Sequence, residues 1–323
     1  MKATSIASAN IPFVKYMGRK DEVLRLPENA SISMNLSKLL TTTTVEFSDA
    51  YERDDILLNG EHEEGEGSRV IRHLDRIRKM AKITLKARVV SENSFPMGTG
   101  LSSSSSGFAA LTVAGAVAAG LKLSERELTI LARQGSGSAC RSIPDGFVEW
   151  LDASASEGSY SYSLYPPGYW EIADVVALVS TERKHVKSSL AHRSVSTGPY
   201  YRARIARMPE KVKRCEEYLK AKDFPALGAL AEEEALDLHV IFMSAGIIYL
   251  TPQSLQLIKL VPEWREQGLS VYFTLNTGQD VHILCEKKNV ENVQKKLQGL
   301  DFVRDVIVNE PARGARISEK HLF

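Results

Sequence analysis

The chain has 323 residues, 25% of them charged and 43% apolar, with a formal net charge of +1. These values predict an ordinary globular protein that is long enough for two domains, and they give no general attraction to nucleic acid or to an anionic membrane. The α/β class is predicted instead by the strand and helix patterns described below. The three cysteines are odd in number and lack CxxC spacing, which argues against a disulfide framework or a zinc site and favours a reducing cytoplasm. We expect neither a membrane span nor a signal peptide, because no apolar run is long enough.

Strand and helix patterns alternate along the chain. The predicted elements are, in order, a strand at 41–47, a helix at 69–80, a strand at 83–90, an apolar helix at 108–119, a helix from the Ser124 capping box to Gly135, a strand at 170–179, helices within 199–243, strands at 269–275 and 281–285, a helix at 289–297 and a strand at 302–308. The polar stretch at 180–196 is where we place a domain boundary, between 1–180 and 181–323.

A run rich in glycine and serine, 96–107, precedes the apolar helix. Glycine lets the backbone approach an anion closely, and the first amides of a helix are unpaired donors, so the run predicts a phosphate cradle. It lacks the Gly-Lys-Ser/Thr ending of a Walker loop and the spacing of a Rossmann fingerprint. A serine-rich linker is the alternative, although a linker would not continue directly into an apolar helix. The candidate ATP-binding residues are Gly100, Ser102, Ser103, Ser104, Ser105 and Ser106.

Two further polar segments could bind a small anion. In 135–142, Ser136, Ser138 and Arg141 stand on a glycine-containing backbone, where the guanidinium could hold a carboxylate through two parallel hydrogen bonds. A plain turn with a surface arginine is the alternative reading. Near the N-terminus, Lys15 lies among apolar residues and Arg19 follows four residues later. A lysine in apolar surroundings usually has an anion to meet.

These segments together resemble the mevalonate diphosphate decarboxylase family, which belongs to the galactokinase, homoserine kinase, mevalonate kinase and phosphomevalonate kinase superfamily. The resemblance spans nearly the whole chain. The matching residues are Ala9-Asn10-Ile11, Lys15-Tyr16 with Gly18, the Leu-Pro-Glu-Asn-Ala-Ser-Ile-Ser of 26–33, Gly100-Leu101-Ser102-Ser103-Ser104, the serine–arginine cluster of 135–142 and Gly146-Phe147-Val148-Glu149-Trp150. The resemblance implies an N-terminal domain like ribosomal protein S5, a ferredoxin-like C-terminal domain and an active site between them.

The resemblance also implies an activity. ATP, with Mg²⁺, would phosphorylate the 3-hydroxyl of a mevalonate 5-phosphate or 5-diphosphate, and loss of that phosphate and of carbon dioxide would give an isopentenyl product. Arg141 with Asn10 would orient the carboxylate, while Tyr16, Arg19, Ser136 and Ser138 would hold the substrate's own phosphate. Lys15 would face the reacting end. We expect a homodimer with no nucleic-acid or membrane partner. We assign no side chain of the protein as a metal ligand.

The sequence departs from the family at the proposed catalytic base. The family has Asp-Ala-Gly-Pro-Asn in the C-terminal hairpin, whereas this chain has Asn276-Thr277-Gly278-Gln279-Asp280. An amide cannot accept a proton at neutral pH, so Asn276 cannot serve as a general base. Three explanations stay open: altered chemistry, Asp280 acting as the base, or an introduced substitution.

A second departure concerns the substrate. The family tends to carry Pro-Ser-Arg after the central strand, where this chain has Lys187-Ser188-Ser189. The loss of that arginine favours mevalonate 5-phosphate over the 5-diphosphate, with Ser188 as a candidate substrate contact. Met17 stands where tryptophan is frequent in the family, which decides little. A small-molecule kinase without decarboxylation and a non-catalytic binder are the alternative functions. His239 and His282 are expected to be structural, since no metal-ligand spacing surrounds them.

Overall fold

A computed structural model describes residues 1–63, 68–96, 100–180, 182, 186 and 188–323. The strands are β1 Lys2–Val14, β2 Arg19–Asp21, β3 Leu26–Pro27, β4 Ser31–Ser48, β5 Asp55–Leu58, β6 Glu61–His62, β7 Lys86–Asn93, β8 Phe147–Trp150, β9 Ser161–Tyr165, β10 Ile172–Leu178, β11 Val271–Leu275, β12 Val281–Glu286, β13 Asp305–Asn309 and β14 Arg316–Ser318. The helices are α1 Arg69–Ala81, α2 Ser103–Ala118, α3 Glu125–Gly135, α4 Ser188–Ser194, α5 Tyr201–Ala221, α6 Phe224–Ser244, α7 Pro252–Glu266 and α8 Val290–Gln298.

The first sheet has the strand order β14-β1-β4-β7-β5-β6, and β8 pairs with β4 and β9 with β8. The long antiparallel pair of β1 and β4 forms its centre. Helices α1, α2 and α3 contribute to one apolar core with this sheet. Most of α2 is buried, as its alanine-rich sequence without a polar face predicts.

Helix α2 begins five residues earlier than its apolar run predicts. It starts at Ser103, directly after Ser102, whose backbone is left-handed with φ of 60°. The predicted cradle residues 103–106 therefore form the first turn of the helix. Gly100 has φ of 118°, and a Cβ atom there would lie 2.5 Å from the Cα of Gly278 in the second half of the chain. Only glycine fits where the two halves approach so closely.

The second sheet is antiparallel, in the order β11-β12-β10-β13. Helices α7 and α8 pack on one face, and residues of α5 and α6 belong to the core on the other. Strand β10 precedes the boundary we place at 180, yet it pairs with β12 and β13 in this sheet. The chain later returns to the first sheet, where β14 pairs with β1. The division into 1–180 and 181–323 stays a prediction.

The mixed α/β fold is confirmed, but several elements have no counterpart among the predicted ones. Helix α7 has a Thr251 capping box and Pro252 at its start, and Pro262 inside it obscures the pattern. Strand β1 is buried almost throughout, so its sequence lacks the alternation that reveals a half-exposed strand. Across the described residues, none of the helices combines the length and apolarity needed to cross a membrane.

Candidate active site

A cleft of about 390 Å³ is lined by residues from both halves of the chain. Its walls come from the end of β1, the start of α2, the short 3₁₀ helix Gly137–Ser142, the start of α4 and the turn after β11. The lining residues that the sequence predicts are Lys15, Tyr16, Arg19, Gly100, Ser102, Ser103, Ser104, Ser105, Ser136, Ser138, Arg141, Ser188 and Asn276. Residues separated by more than 250 positions in the chain thus meet at one site.

The serine-rich end of the cleft surrounds the N-terminus of α2. Ser103 and Ser104 line both the cleft and an adjoining pocket of about 230 Å³. Ser105 is buried, and its Oγ lies 2.5 Å from the Oγ of Ser138. Ser106 is different, because it is buried and hydrogen-bonds with Thr41 Oγ1 at 2.6 Å. It does not line the cleft, so the structure does not support direct ATP contact at Ser106.

Arg141 lines the cleft although its side chain is only 2% exposed. Its guanidinium donates to Ser31 Oγ at 2.5 Å, Ser33 Oγ at 3.1 Å and Asn10 Oδ1 at 3.2 Å. Burial lowers the pKa of Arg141 to about 10, which leaves it charged at neutral pH. Within the described part of the chain, no carboxylate forms an ion pair with it. A buried cation held only by neutral acceptors is suited to an anionic ligand.

Asn10 supports this guanidinium from behind. Its side-chain nitrogen donates to Ser142 Oγ at 2.8 Å and to the carbonyl of Ser138 at 3.2 Å, while its oxygen accepts from Arg141. The amide is thus oriented by three partners. Asn10 does not line the cleft, so its predicted substrate role would act through Arg141.

Three further guanidinium groups lie on one side of the cleft, those of Arg19, Arg25 and Arg69. Burial lowers the pKa of Arg25 and of Arg69 to about 10, and in each case neighbouring arginines lower it further. Their donors Nε of Arg25 and Nη2 of Arg69 reach the carbonyls of Gln134 and Gly135 at 3.1 and 2.9 Å. Arg19 forms an ion pair with Glu22 at 2.7 Å, whereas the mutual repulsion of these arginines at Arg25 and Arg69 favours an anionic ligand.

Sequence reasoning missed Arg25 and Arg69. Arg25 stands in a turn with φ of 52°, and Arg69 opens α1, so neither belongs to a recognisable motif. A left-handed arginine cannot be identified from one sequence. His192 lines the cleft and accepts a hydrogen bond from the backbone N–H of Gly18 at 3.1 Å. It was also missed, because it belongs to no recognisable motif.

Tyr16 links two of these groups. Its hydroxyl accepts from Arg19 Nε at 2.8 Å, and its ring lies 4.5 Å from that of Trp150 and 4.4 Å from that of His192, measured between ring centroids. Burial raises its pKa, so Tyr16 is a neutral hydroxyl at physiological pH. The ring packing fixes the position from which this hydroxyl and Arg19 face the cleft.

The hairpin that carries the altered residue lies opposite the serines. Asn276 Nδ2 donates to Ser102 Oγ at 3.1 Å, and its backbone carbonyl lies 3.1 Å from His239 Nε2. Ser188 hydrogen-bonds with Thr277 at 2.6 Å, which places α4 against the same hairpin. Lys187 lies outside the described residues. Asn276 therefore lies beside the serine-rich end of the cleft.

Asp280 occupies a different position. Its Oδ1 accepts from the backbone N–H of Val179 at 3.1 Å, its side chain is buried, and it does not line the cleft. Its carboxylate fixes the end of β10 against the hairpin. The geometry gives no support to the hypothesis that Asp280 replaces the family's aspartate as the base.

Both halves of the chain are similar to known proteins. Residues 7–162 match the family described as diphosphomevalonate decarboxylase-like N-terminal domain, and residues 174–312 match the mevalonate 5-diphosphate decarboxylase C-terminal domain. Diphosphomevalonate decarboxylase from Candida albicans is 33% identical over 311 residues, which cover 90% of this chain and 86% of that protein. Phosphomevalonate decarboxylase from Haloferax volcanii is 32% identical over 314 residues, 95% of each chain.

A solved structure, MDDEF in complex with MVAPP, AMPPCP and magnesium, superposes with a TM-score of 0.93 at 35% identity and covers 99% of both chains. The predicted resemblance is thereby confirmed across both halves of the molecule. The chain belongs to the mevalonate diphosphate decarboxylase family.

Proposed function

We propose that this protein decarboxylates mevalonate 5-phosphate in an ATP-dependent reaction that gives isopentenyl phosphate, a step of isoprenoid biosynthesis. The observation that carries the proposal is the convergence of three anion-binding features on one cleft: the N-terminus of α2, buried Arg141 and the arginine cluster. A substrate with a carboxylate and a phosphate, reacting with a nucleotide, needs three such features. Membership of the family supplies the reaction class.

In this proposal Arg141 binds the substrate carboxylate through two parallel hydrogen bonds. Three neutral acceptors fix its plane, so a bound carboxylate would be held in a single orientation. Tyr16, Arg19, Ser136 and Ser138 line the neighbouring wall and would receive the substrate's phosphate. The substrate would then extend between these two groups, with its 3-hydroxyl toward Lys15 and the hairpin.

The ATP phosphates would lie on the first turn of α2, between Gly100 and Ser105. The adjoining pocket begins at Ser103 and Ser104 and is lined further by Val70, Val89, Phe108 and Leu111, which suits the flat apolar faces of a nucleobase. Hydroxyl oxygens at the start of the helix fit Mg²⁺, an ion that takes few protein ligands besides phosphates and water. Bound there by Ser102, Ser103 or Ser104, it would shield the phosphate charges during transfer.

The number of phosphates on the substrate defines a second candidate. This chain has Lys187-Ser188-Ser189 where the family tends to have Pro-Ser-Arg, and the loss of the arginine favours the 5-phosphate. The Haloferax volcanii relative is named for phosphomevalonate. The cluster of Arg19, Arg25 and Arg69 favours the 5-diphosphate instead, because it offers more cations than one phosphate needs. The Candida albicans relative is named for the diphosphate.

One assay tests the reaction and the substrate together. The protein is incubated with Mg-ATP and each of mevalonate, its 5-phosphate and its 5-diphosphate, while ADP and carbon dioxide are measured in parallel. We expect equal amounts of both products with the 5-phosphate. ADP without carbon dioxide would identify a kinase, faster turnover of the 5-diphosphate would identify the second candidate, and tight binding without either product would identify a binding protein. The cytoplasmic location and the homodimer remain predictions.

A further inference from the structure

The side-chain nitrogen of Lys15 has an unusual set of partners. The residue lines the cleft at the end of β1, yet it is only 1% exposed. Its Nζ donates to the carbonyl of Pro12 at 2.6 Å and to Thr274 Oγ1 at 2.6 Å. Both partners are neutral. These two bonds use two of the three hydrogen-bonding positions around the nitrogen, so one position remains.

The backbone of Lys15 is fixed by a buried ion network. Its N–H donates to Glu234 Oε2 at 2.9 Å, and its carbonyl accepts from Arg204 Nη2 at 3.1 Å. Glu234 also accepts from Arg204 and from Lys211, each at 2.8 Å. The oxygens of Glu234 are therefore committed to other donors. Its charge holds the main chain of Lys15 and forms no ion pair with the amine.

The charges around the amine do not compensate for its burial. Burial lowers the pKa of Lys15 to about 7. Glu234 opposes this change, Arg141 reinforces it, and Asp174 and Arg204 contribute smaller and opposite effects. Across the described residues, no carboxylate lies within 4.0 Å of the nitrogen.

The groups at the hairpin are poorly placed or too weakly basic to take a proton from the substrate. Asn276 carries an amide, and the carboxylate of Asp280 binds the backbone of Val179. His239 is buried behind the hairpin with its Nε2 beside the carbonyl of Asn276, and burial lowers its pKa to about 4. Glu63 does line the cleft, but its charge acts on Arg69 at the opening of the adjoining pocket.

We propose that Lys15, as a neutral amine, accepts the proton of the substrate's 3-hydroxyl and later returns it to the departing phosphate. This inference rests on the proposed function. Two N–H groups of the amine stay bonded to Pro12 and Thr274, so its lone pair is directed to the remaining position, which belongs to the cleft. The amide at position 276 is then compatible with turnover, because the base lies on another strand.

The proton balance closes over one cycle. The hydroxyl proton moves to the lone pair of Lys15 while the oxygen bonds to the γ-phosphorus of ATP, and the bond from that phosphorus to the leaving oxygen breaks with its electron pair going to ADP. The C3–O bond then breaks with its pair going to the phosphate, which takes the proton back from Lys15. The bond to the carboxylate supplies the electron pair of the new C=C bond, and carbon dioxide leaves. Lys15 is thus protonated only between the phosphoryl transfer and the departure of the phosphate, and it is a neutral amine again when the cycle ends.

A direct titration tests the protonation state without relying on activity. In the full chain with ¹³C-labelled lysine, the Cε signal of Lys15 is identified by its absence in Lys15→Met and followed with pH. We expect a midpoint near 7, where ordinary lysines titrate at about 10.4. A midpoint above about 9 would overturn the inference, because the amine would then be charged at neutral pH.

Turnover of three variants tests the role. Lys15→Arg keeps a positive charge but has no lone pair to accept a proton, so carbon dioxide release should fall by at least about 100-fold. Carbon dioxide release by Lys15→Met should fall as far, and the melting temperature of this variant shows whether the fold persists. Lys20→Arg, on an exposed side chain five residues away, should be unchanged. The parent's turnover should rise with pH to the midpoint seen by NMR.

The outcomes separate the two proposals. An Lys15→Arg variant that keeps more than about a third of the parent rate would show that charge alone suffices, and the proton-transfer role would be wrong. A parent that releases no carbon dioxide from any mevalonate phosphate would refute the proposed function, even if Lys15 titrates near 7. Release of carbon dioxide together with a Lys15 midpoint near 10 would refute only the inference.

Discussion

The two ends of the cleft are built in different ways. At the α2 end, Ser103 and Ser104 offer hydroxyls and backbone N–H groups that are partly open to solvent. At the other end, Lys15 and Arg141 are almost fully buried and each is held by several partners. The first end can adapt to a flexible polyphosphate, whereas the second fixes cations in one geometry. In the proposed function, the first end would bind the ATP phosphates and the second would position the substrate.

The difference also has an energetic side. Exposed serines around a helix start cost little to maintain, but a buried amine and a buried guanidinium without carboxylate partners must be supported by the rest of the fold. The ion network of Glu234, Arg204 and Lys211 provides that support for Lys15. Substitutions in the network should affect stability first, and substitutions in the cleft should affect binding or turnover.

The largest expected effect is on stability, from Glu234→Gln. Burial would raise the pKa of Glu234, but the charges of Arg204 and Lys211 bring it below its usual value. Removing this charge takes away the carboxylate that pairs with buried Arg204 and one of those that pair with Lys211, so the free energy of unfolding should fall by about 3–5 kcal/mol in urea titrations at pH 7. Glu233→Gln is the matched control, because Glu233 also contacts Lys211 but is half exposed, and it should cost under about 1 kcal/mol.

The pH dependence of this effect has a definite sign. A carboxylate whose pKa is lowered by folding stabilises the protein above its unfolded pKa, roughly 4.3 for glutamate. That contribution is lost as the pH falls through the folded-state pKa. The difference in unfolding free energy between the parent and Glu234→Gln should therefore be largest at pH 7 and become smaller in acid. A difference that grows below pH 4 would show that Glu234 is protonated in the folded protein at neutral pH.

Ser104→Leu tests the adaptable end. Ser104 is exposed at the first turn of α2, so leucine should fill the cradle without disturbing the core, whereas a change at buried Ser105 would also break its bond to Ser138. We expect Mg-ATP affinity to fall by roughly 100-fold, equivalent to about 2.7 kcal/mol in isothermal titration. Ser154→Leu, another exposed serine outside the cleft, should bind ATP normally. Unchanged Mg-ATP affinity in Ser104→Leu would show that the nucleotide does not bind at this end of the cleft.

The two ends also differ in how far the sequence predicts them. Glycine and serine before an apolar helix are local signals, and they correctly indicate which loop lines the cleft. The partners of the buried end are distant: Thr274 is 259 positions from Lys15, and Ser31 is 110 from Arg141. No local pattern contains such contacts. The inward direction of Ser106 was likewise unpredictable, because it depends on the position of Thr41 in the neighbouring sheet.

Arg141→Lys tests the fixed end. Lysine keeps the charge but cannot bond to Ser31, Ser33 and Asn10 while presenting two parallel donors to a carboxylate. Because a misplacement of about 1 Å can cost on the order of 100-fold in rate, we expect kcat/KM for the mevalonate phosphate to fall by about that factor. Mg-ATP affinity should change little. Equal and small effects on both ligands would show that Arg141 does not orient the carboxylate.

The smallest expected effect at neutral pH is that of Asn276→Asp, and it decides between two accounts of the cleft. If no other base is present, restoring the family's carboxylate should raise carbon dioxide release by roughly 10²–10⁴-fold. If Lys15 already accepts the proton, the gain should stay below about tenfold, because one positioned base is exchanged for another. The new carboxylate should also raise the midpoint of the Lys15 Cε titration, since an opposite charge nearby favours the protonated amine.

Asp280→Asn is the control for this prediction. Because Asp280 accepts from the backbone of Val179, the substitution should lower stability while leaving the pH dependence of turnover in place. A large rate gain in Asn276→Asp with no shift in the Lys15 titration would show that the parent cleft has no working base. The function of the parent chain would then be ligand binding or slow phosphoryl transfer.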